Sequence, residues 1–108
     1  MFFNTKKKIV SKLLEAAILF GLPDKDASNA RGLIENFEEY LGFDTIITQL
    51  YEYDIKVNKD FYTFTCYVGE KLGVSHAEYS DIEKLVNEDN VFPKHINDSL
   101  LAITDRYV

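Results

Sequence analysis

Asn58-Lys59-Asp60-Phe61-Tyr62-Thr63-Phe64-Thr65-Cys66-Tyr67-Val68-Gly69-Glu70-Lys71-Leu72-Gly73 reads as one helix with both ends marked. The Asn58 side chain can accept from the free N–H groups of a first turn, and Gly73 tolerates the left-handed conformation in which helices end. Between them Phe61, Phe64, Thr65, Val68 and Leu72 recur every three or four residues, which puts them on one side of a helix. A strand would show apolar residues with period two, and this stretch does not.

The same signature repeats outward. Asn4 or Thr5 caps a first helix to about Phe20, with Ile9, Leu13, Ala16, Ala17 and Phe20 on one face. Gly21 stops it and Leu22-Pro23-Asp24 turns the corner. A second helix is predicted from about Asp26 to Tyr40, with Ala27, Ala30, Leu33, Ile34, Phe37 and Leu41 inward and Glu35, Glu38 and Glu39 on its outer face. Gly42 then breaks the chain, and Asp44 caps a third helix to about Tyr53 that buries Ile46, Ile47 and Leu50.

Tyr53 to Val57 alternates like a short strand, but no partner strand is evident and the segment reads as a connector. Downstream, Ser75-His76-Ala77-Glu78 has the capping-box pattern of a fifth helix through about Val86, burying Tyr79, Ile82, Leu85 and Val86. The tail from about residue 88 opens polar, passes Phe92-Pro93 and closes in a helix using Ile96, Leu100, Ile103 and Tyr107. Gly32 and Gly69, inside helices, permit close approach of neighbours. The expected fold is all-α: one domain, 1–108, forming a compact antiparallel bundle of about five to six helices.

Composition narrows the function. The 108 residues suit one domain, and 46% hydrophobic residues suffice for a core. Cys66 is the single cysteine, so no internal disulfide forms, which suits a reducing, cytoplasmic setting. No apolar run reaches the roughly 18 residues of a membrane span. Met1-Phe2-Phe3 followed by Lys6, Lys7 and Lys8 imitates the start of a signal peptide, but Ser11, Lys12 and Glu15 interrupt its apolar region.

Charge is unevenly distributed. Residues 1–12 carry a net +4, residues 13–55 carry nine acids against Lys25 and Arg31 for −7, and the remainder carries −3, making −6 overall. An acidic middle repels phosphate backbones and attracts basic protein surfaces. Lys6, Lys7, Lys8 and Lys12 lack the interleaved aromatics of a nucleic-acid site.

No catalytic constellation emerges. His76 and His95 have no metal-site spacing with a third ligand, Cys66 reads as a partly buried structural thiol, and the glycines form no phosphate loop. Neither a metal nor a cofactor is expected. The triplet Glu35, Glu38 and Glu39 has the spacing of a solvated helix face or a docking surface. Seven tyrosines exceed what a small core holds. Tyr51 and Tyr53, flanking Glu52 and preceding Asp54, cannot both point inward, and exposed tyrosine among carboxylates is interface material.

Two segments carry a resemblance: Asn29-Ala30-Arg31-Gly32-Leu33-Ile34-Glu35, and Gln49 to Lys59 with Tyr51-Glu52-Tyr53-Asp54-Ile55-Lys56-Val57 at its centre. Together with the close on Leu72-Gly73, they resemble the MafI-type and contact-dependent growth inhibition immunity proteins over about residues 5–86. In that family a Gly-Glu turn follows the second helix. Here Asn36-Phe37-Glu38-Glu39-Tyr40-Leu41-Gly42 stands in its place, so a longer second helix is expected, and residues 88–108 form an extension outside the pattern. The resemblance implies a cytoplasmic inhibitor that binds the C-terminal domain of a cognate toxin, commonly a nuclease. The expected contact surface is Glu35, Glu38, Glu39, Tyr51, Glu52, Tyr53 and Asp54. The alternatives are a generic acidic helical adaptor or, with less support, an enzyme or nucleic-acid regulator.

Overall fold

A computed structural model describes residues 5–87 and 92–105. It contains α1 (Thr5–Phe20), α2 (Asp24–Glu35), α3 (Glu39–Glu52), α4 (Lys59–Leu72), two 3₁₀ segments (His76–Glu78 and Ser80–Leu85) and α5 (Lys94–Thr104). The expected all-α bundle is what forms. One continuous core joins Val10, Leu13, Ile34, Ile46, Leu50, Phe61, Phe64, Val68, Ile82 and Leu100. Tyr107 and the candidate cap Asn4 lie outside the described residues.

α4 follows its sequence signals closely. Asn58 Oδ1 accepts from the Phe61 N–H at 2.8 Å, and Phe61, Phe64, Thr65 and Val68 are buried. Gly73 closes it at φ 75° with the paired bonds Val74 N–H to Gly69 O and Gly73 N–H to Glu70 O. Gly21 closes α1 in the same way at φ 118°. These double bonds satisfy carbonyls the helix would otherwise leave open, and glycine takes the left-handed position without strain.

The boundary between α2 and α3 differs from the expectation. α2 does not run on to Tyr40; it stops at Glu35, and α3 begins at Glu39 rather than at Asp44. The stop is again a paired closure, Glu38 N–H to Leu33 O and Phe37 N–H to Ile34 O. Here the left-handed residue is Phe37, at φ 63°. A side chain in that region costs about 1–2 kcal/mol relative to glycine. Phe37 and Leu41, expected inward, are therefore 66% and 45% exposed.

Starting α3 early moves Gly42 from a helix end to a helix interior, where a Cβ would lie 2.7 Å from Ile34 Cγ1. Gly42 is the close-approach residue of the α2–α3 pair. Gly32, expected in that role, has open space beside it. Gly69 does have it, since a Cβ there would fall against the Tyr79 ring.

The Ser75–Glu78 pattern does not start an α-helix. Ser75 makes no side-chain cap bond, and the segment forms the two 3₁₀ pieces, although Tyr79, Ile82 and Leu85 are buried as expected. Glu78, which would complete the box, instead accepts from the Tyr40 hydroxyl at 2.5 Å. The connector before α4 does find a partner. Val57 pairs with Val86 through one parallel rung, in which Val57 N–H donates to Leu85 O and Asn87 N–H to Val57 O.

Candidate functional site

α3 organises the candidate surface. Gly42, Phe43, Ile46, Ile47 and Leu50 face the core, which leaves Tyr40, Leu41, Asp44, Thr48, Tyr51 and Glu52 in a stripe along the opposite side. Helical geometry explains the stripe: steps of three and four residues return to one face, here over roughly 20 Å.

Glu35 is the exposed last residue of α2, Glu38 precedes the first residue of α3, and Glu39 opens α3 half-buried. They do not share the outer face of one helix, because the helix they were assigned to ends at Glu35. Tyr51 and Glu52 close α3, Tyr53 caps it, and Asp54 takes the left-handed position at φ 53°. The two acidic groups thus occupy opposite ends of α3. Tyr51 and Tyr53 are both exposed and sit with the second group, not between the two. What lies between is Tyr40, Asp44 and Thr48. Tyr40 lies inside α3 and not at the end of α2, and Asp44 lies within the helix and not at its cap, which brings both onto this face. Their i, i+4 spacing with Thr48 was the signal, readable only once the start of α3 is known.

The tyrosines hold their protons tightly. The Tyr40 hydroxyl is pushed above its ordinary range by its bond to Glu78, with Asp44 adding to the effect. Tyr53 is raised by a hydrogen bond to Asp26, which ties the end of α3 to the start of α2. Asp26 is buried at the third position of α2. A carboxylate there would ordinarily take the N-cap N–H, but Pro23 has none. Its Oδ2 has no hydrogen-bond partner among the described residues. Beside Tyr51, Lys84 is held protonated by Asp81 at 3.2 Å.

Carboxylates near a helix C-terminus face the negative end of the helix dipole, an unfavourable placement of about 0.3–1 kcal/mol each. Glu35, Glu52 and Asp54 are all so placed, and neither α2 nor α3 has a basic residue in its last turn. Lys56 offsets one of them through a 3.0 Å ion pair with Asp54. Folding stability therefore does not account for this acidic pattern.

A separate cleft of about 320 Å³ lies between α4 and the second 3₁₀ segment, lined by Lys59, Tyr62, Thr63, Cys66, Glu83 and Val86. Burial pushes the Cys66 thiol up, against a lowering bond from Tyr62. An upward shift keeps the thiol protonated, opposite to the activation a nucleophile needs. Burial, followed by the bond to Cys66, pushes Tyr62 to about 12. Its hydroxyl also lies 3.3 Å from His76 Nε2, and the His76 ring meets Tyr79 edge-on at 5.1 Å. His95 is exposed on α5, where Asp98 pairs with Lys94 at 2.7 Å. Among the described residues no three His, Cys, Asp or Glu side chains converge as a metal site would require, and no helix is long and apolar enough to cross a membrane.

The raised Tyr62 pKa has a measurable consequence. Below the unfolded value of 10.0 the phenol is protonated in both states and its contribution is intact. As pH rises from 10 toward about 12 the unfolded chain ionises first, so stability falls across that window. Urea unfolding of wild type and Tyr62→Phe at pH 9, 10 and 11 is expected to show a shallower alkaline decline in the variant. Parallel declines would assign the loss to the other tyrosines.

Compared with family models, with curated proteins and with solved structures, the chain finds no match in any of the three, so its function is read from its own surface.

Proposed function

We propose that this chain is an immunity-type inhibitor that binds the C-terminal domain of a cognate bacterial toxin, a basic nuclease, in the cytoplasm, through the acidic, tyrosine-bearing face of α3. The chain itself catalyses nothing in this reading. One observation carries it: of the six large hydrophobic side chains exposed among the described residues, five (Phe37, Tyr40, Leu41, Tyr51 and Tyr53) belong to α3 and its flanking turns. They are interleaved with Glu38, Asp44, Glu52 and Asp54. Aromatic anchors inside a charged rim are the composition of protein-binding surfaces, and carboxylates complement the cleft with which a nuclease holds nucleic acid. The resemblance at Asn29–Glu35 and Gln49–Lys59 supports the same reading, since the second of these segments supplies Tyr51, Glu52, Tyr53 and Asp54.

The test uses the C-terminal domain of a bacterial toxin, to be sought as a large secreted protein whose reading frame ends just upstream of this one. A Glu35→Lys, Asp44→Lys, Glu52→Lys variant is expected to keep its circular dichroism and melting temperature, because lysine suits the helix C-termini that two of these positions occupy. It is expected to lose neutralisation, with association slowed at least tenfold at low salt and less at high salt. Full neutralisation by this variant would remove the electrostatic basis of the proposal and leave an inhibitor that docks by apolar contact alone.

A further inference from the structure

We infer that Phe37 is the anchor of this docking surface and that it inserts into an apolar pocket, rimmed by basic side chains, on the partner protein. The inference rests on the inhibitor reading above and deepens it by naming the end of α3 that is engaged and the chemistry that receives it.

The first observation is conformational. Four helix ends close with the same pair of backbone bonds, after Phe20, Asn36, Tyr53 and Leu72. Two put glycine in the left-handed position, at φ 118° and 75°, and one puts Asp54 there at φ 53°, a residue type that tolerates it. The fourth puts the bulky Phe37 there, at φ 63°. Glycine would make that turn with less strain, so the turn does not explain the phenylalanine. The second observation is that the ring does little for the fold. It stands 66% exposed, and the contact that orients it is the Lys7 ammonium, 4.7 Å from the ring centroid. A strained residue whose side chain faces water is held for something outside the chain.

The surroundings define the occupant. Tyr40 and Leu41, in the next turn, are 46% and 45% exposed and extend the apolar patch. Glu35, Glu38 and Glu39 flank it along the chain, Glu78 and Asp44 lie by Tyr40, and Lys7 and Arg31 stand beside Glu35, so carboxylates outnumber the basic groups around it. This rim repels a second copy of the same face and attracts a basic surface, and the patch at its centre requires an apolar recess in that surface. Lys7 lies against the ring, where it fixes the rotamer before binding and reduces the entropy lost on docking.

Phe37→Gly separates this role from a structural one because the two move in opposite directions. The variant is expected to melt about 4 °C higher as the backbone strain is relieved. It is also expected to bind the toxin domain that wild type neutralises at least 30-fold more weakly. Leu101→Ala, which removes an exposed leucine on α5, is expected to leave affinity unchanged. Wild-type affinity in Phe37→Gly would overturn the anchor and leave the inhibitor reading standing, whereas absence of wild-type binding would overturn both. Weaker binding with a lower melting temperature would return Phe37 to a structural role and overturn the inference. Light scattering that finds a wild-type dimer dissociating in Phe37→Gly would put a second copy in the partner's place and overturn it as well.

Discussion

A chain cut after Asn87, which keeps the Val57–Val86 rung but lacks α5, is expected to be largely unfolded at 37 °C. The loss is the sum of several contacts. Leu100 is 1% exposed and packed in the main core, and removing such a leucine side chain costs about 2–5 kcal/mol. Phe92 meets the Phe20 ring edge-on at 5.2 Å, and Phe20 in turn meets Phe61 at 5.3 Å, so the tail buttresses the junction of α1 and α4. Asn97 Oδ1 accepts from Asn58 Nδ2 at 3.0 Å, which steadies the residue that caps α4. Domains of this size are stable by about 5–15 kcal/mol in total, so a combined loss above about 4 kcal/mol removes most of the margin. Thermal melts followed by circular dichroism read the effect, with Leu100→Ala as the single-site comparison. An unchanged melting temperature in the truncated chain would show that α5 is an appendage, not part of the fold.

The second large effect is expected at Gly69. Replacing it with alanine places a methyl group hard against the Cε2 edge of the Tyr79 ring, 2.7 Å from Cζ and 2.9 Å from Cδ2. Tyr79 cannot simply turn away: it is 2% exposed and meets Phe43 and His76 edge-on at 5.9 and 5.1 Å. Overpacking of this kind costs about 1–3 kcal/mol, and the gain in helix propensity from glycine to alanine returns only about 0.5–1. A net loss of about 1 kcal/mol corresponds to a melting temperature lower by about 4–8 °C. Gly32→Ala is the opposing control. A methyl group there meets open space, so the propensity gain stands alone and the protein is expected to melt about 4 °C higher. Equal destabilisation by the two substitutions would contradict the packing account.

That contrast marks where a local reading of the chain stops. Both glycines are helix-interior residues, and nothing in their immediate neighbours tells the one against a buried tyrosine from the one facing solvent. The helices themselves were legible because their causes are local: apolar residues recurring every three or four positions, Asn58 as a cap, and Gly21 and Gly73 as stops. α1, α4 and the inner faces of α3 and the Tyr79–Leu85 segment follow from these alone.

The surface was legible only in part. Exposed tyrosines near Glu52 and Asp54 followed from Tyr51 and Tyr53 being two residues apart beside carboxylates. The patch at the other end did not, because its residues were assigned to the core. Phe37 and Leu41 continue the apolar spacing of α2, and no residue type announces that the helix ends at Glu35. The end is set by tertiary packing. α3 must begin at Glu39 to bring Gly42 against Ile34, and that close approach favours a left-handed turn at Phe37 despite its strain. The same holds after α4, where Ser75 and Glu78 form a capping box on paper. In the fold Glu78 bonds Tyr40 and Tyr79 packs against Gly69, so the segment winds as 3₁₀. Periodicity and caps determined which segments are helical, because those preferences act within a few residues. Only long-range packing decided where two of the helices end, and with that which aromatic side chains were left facing water.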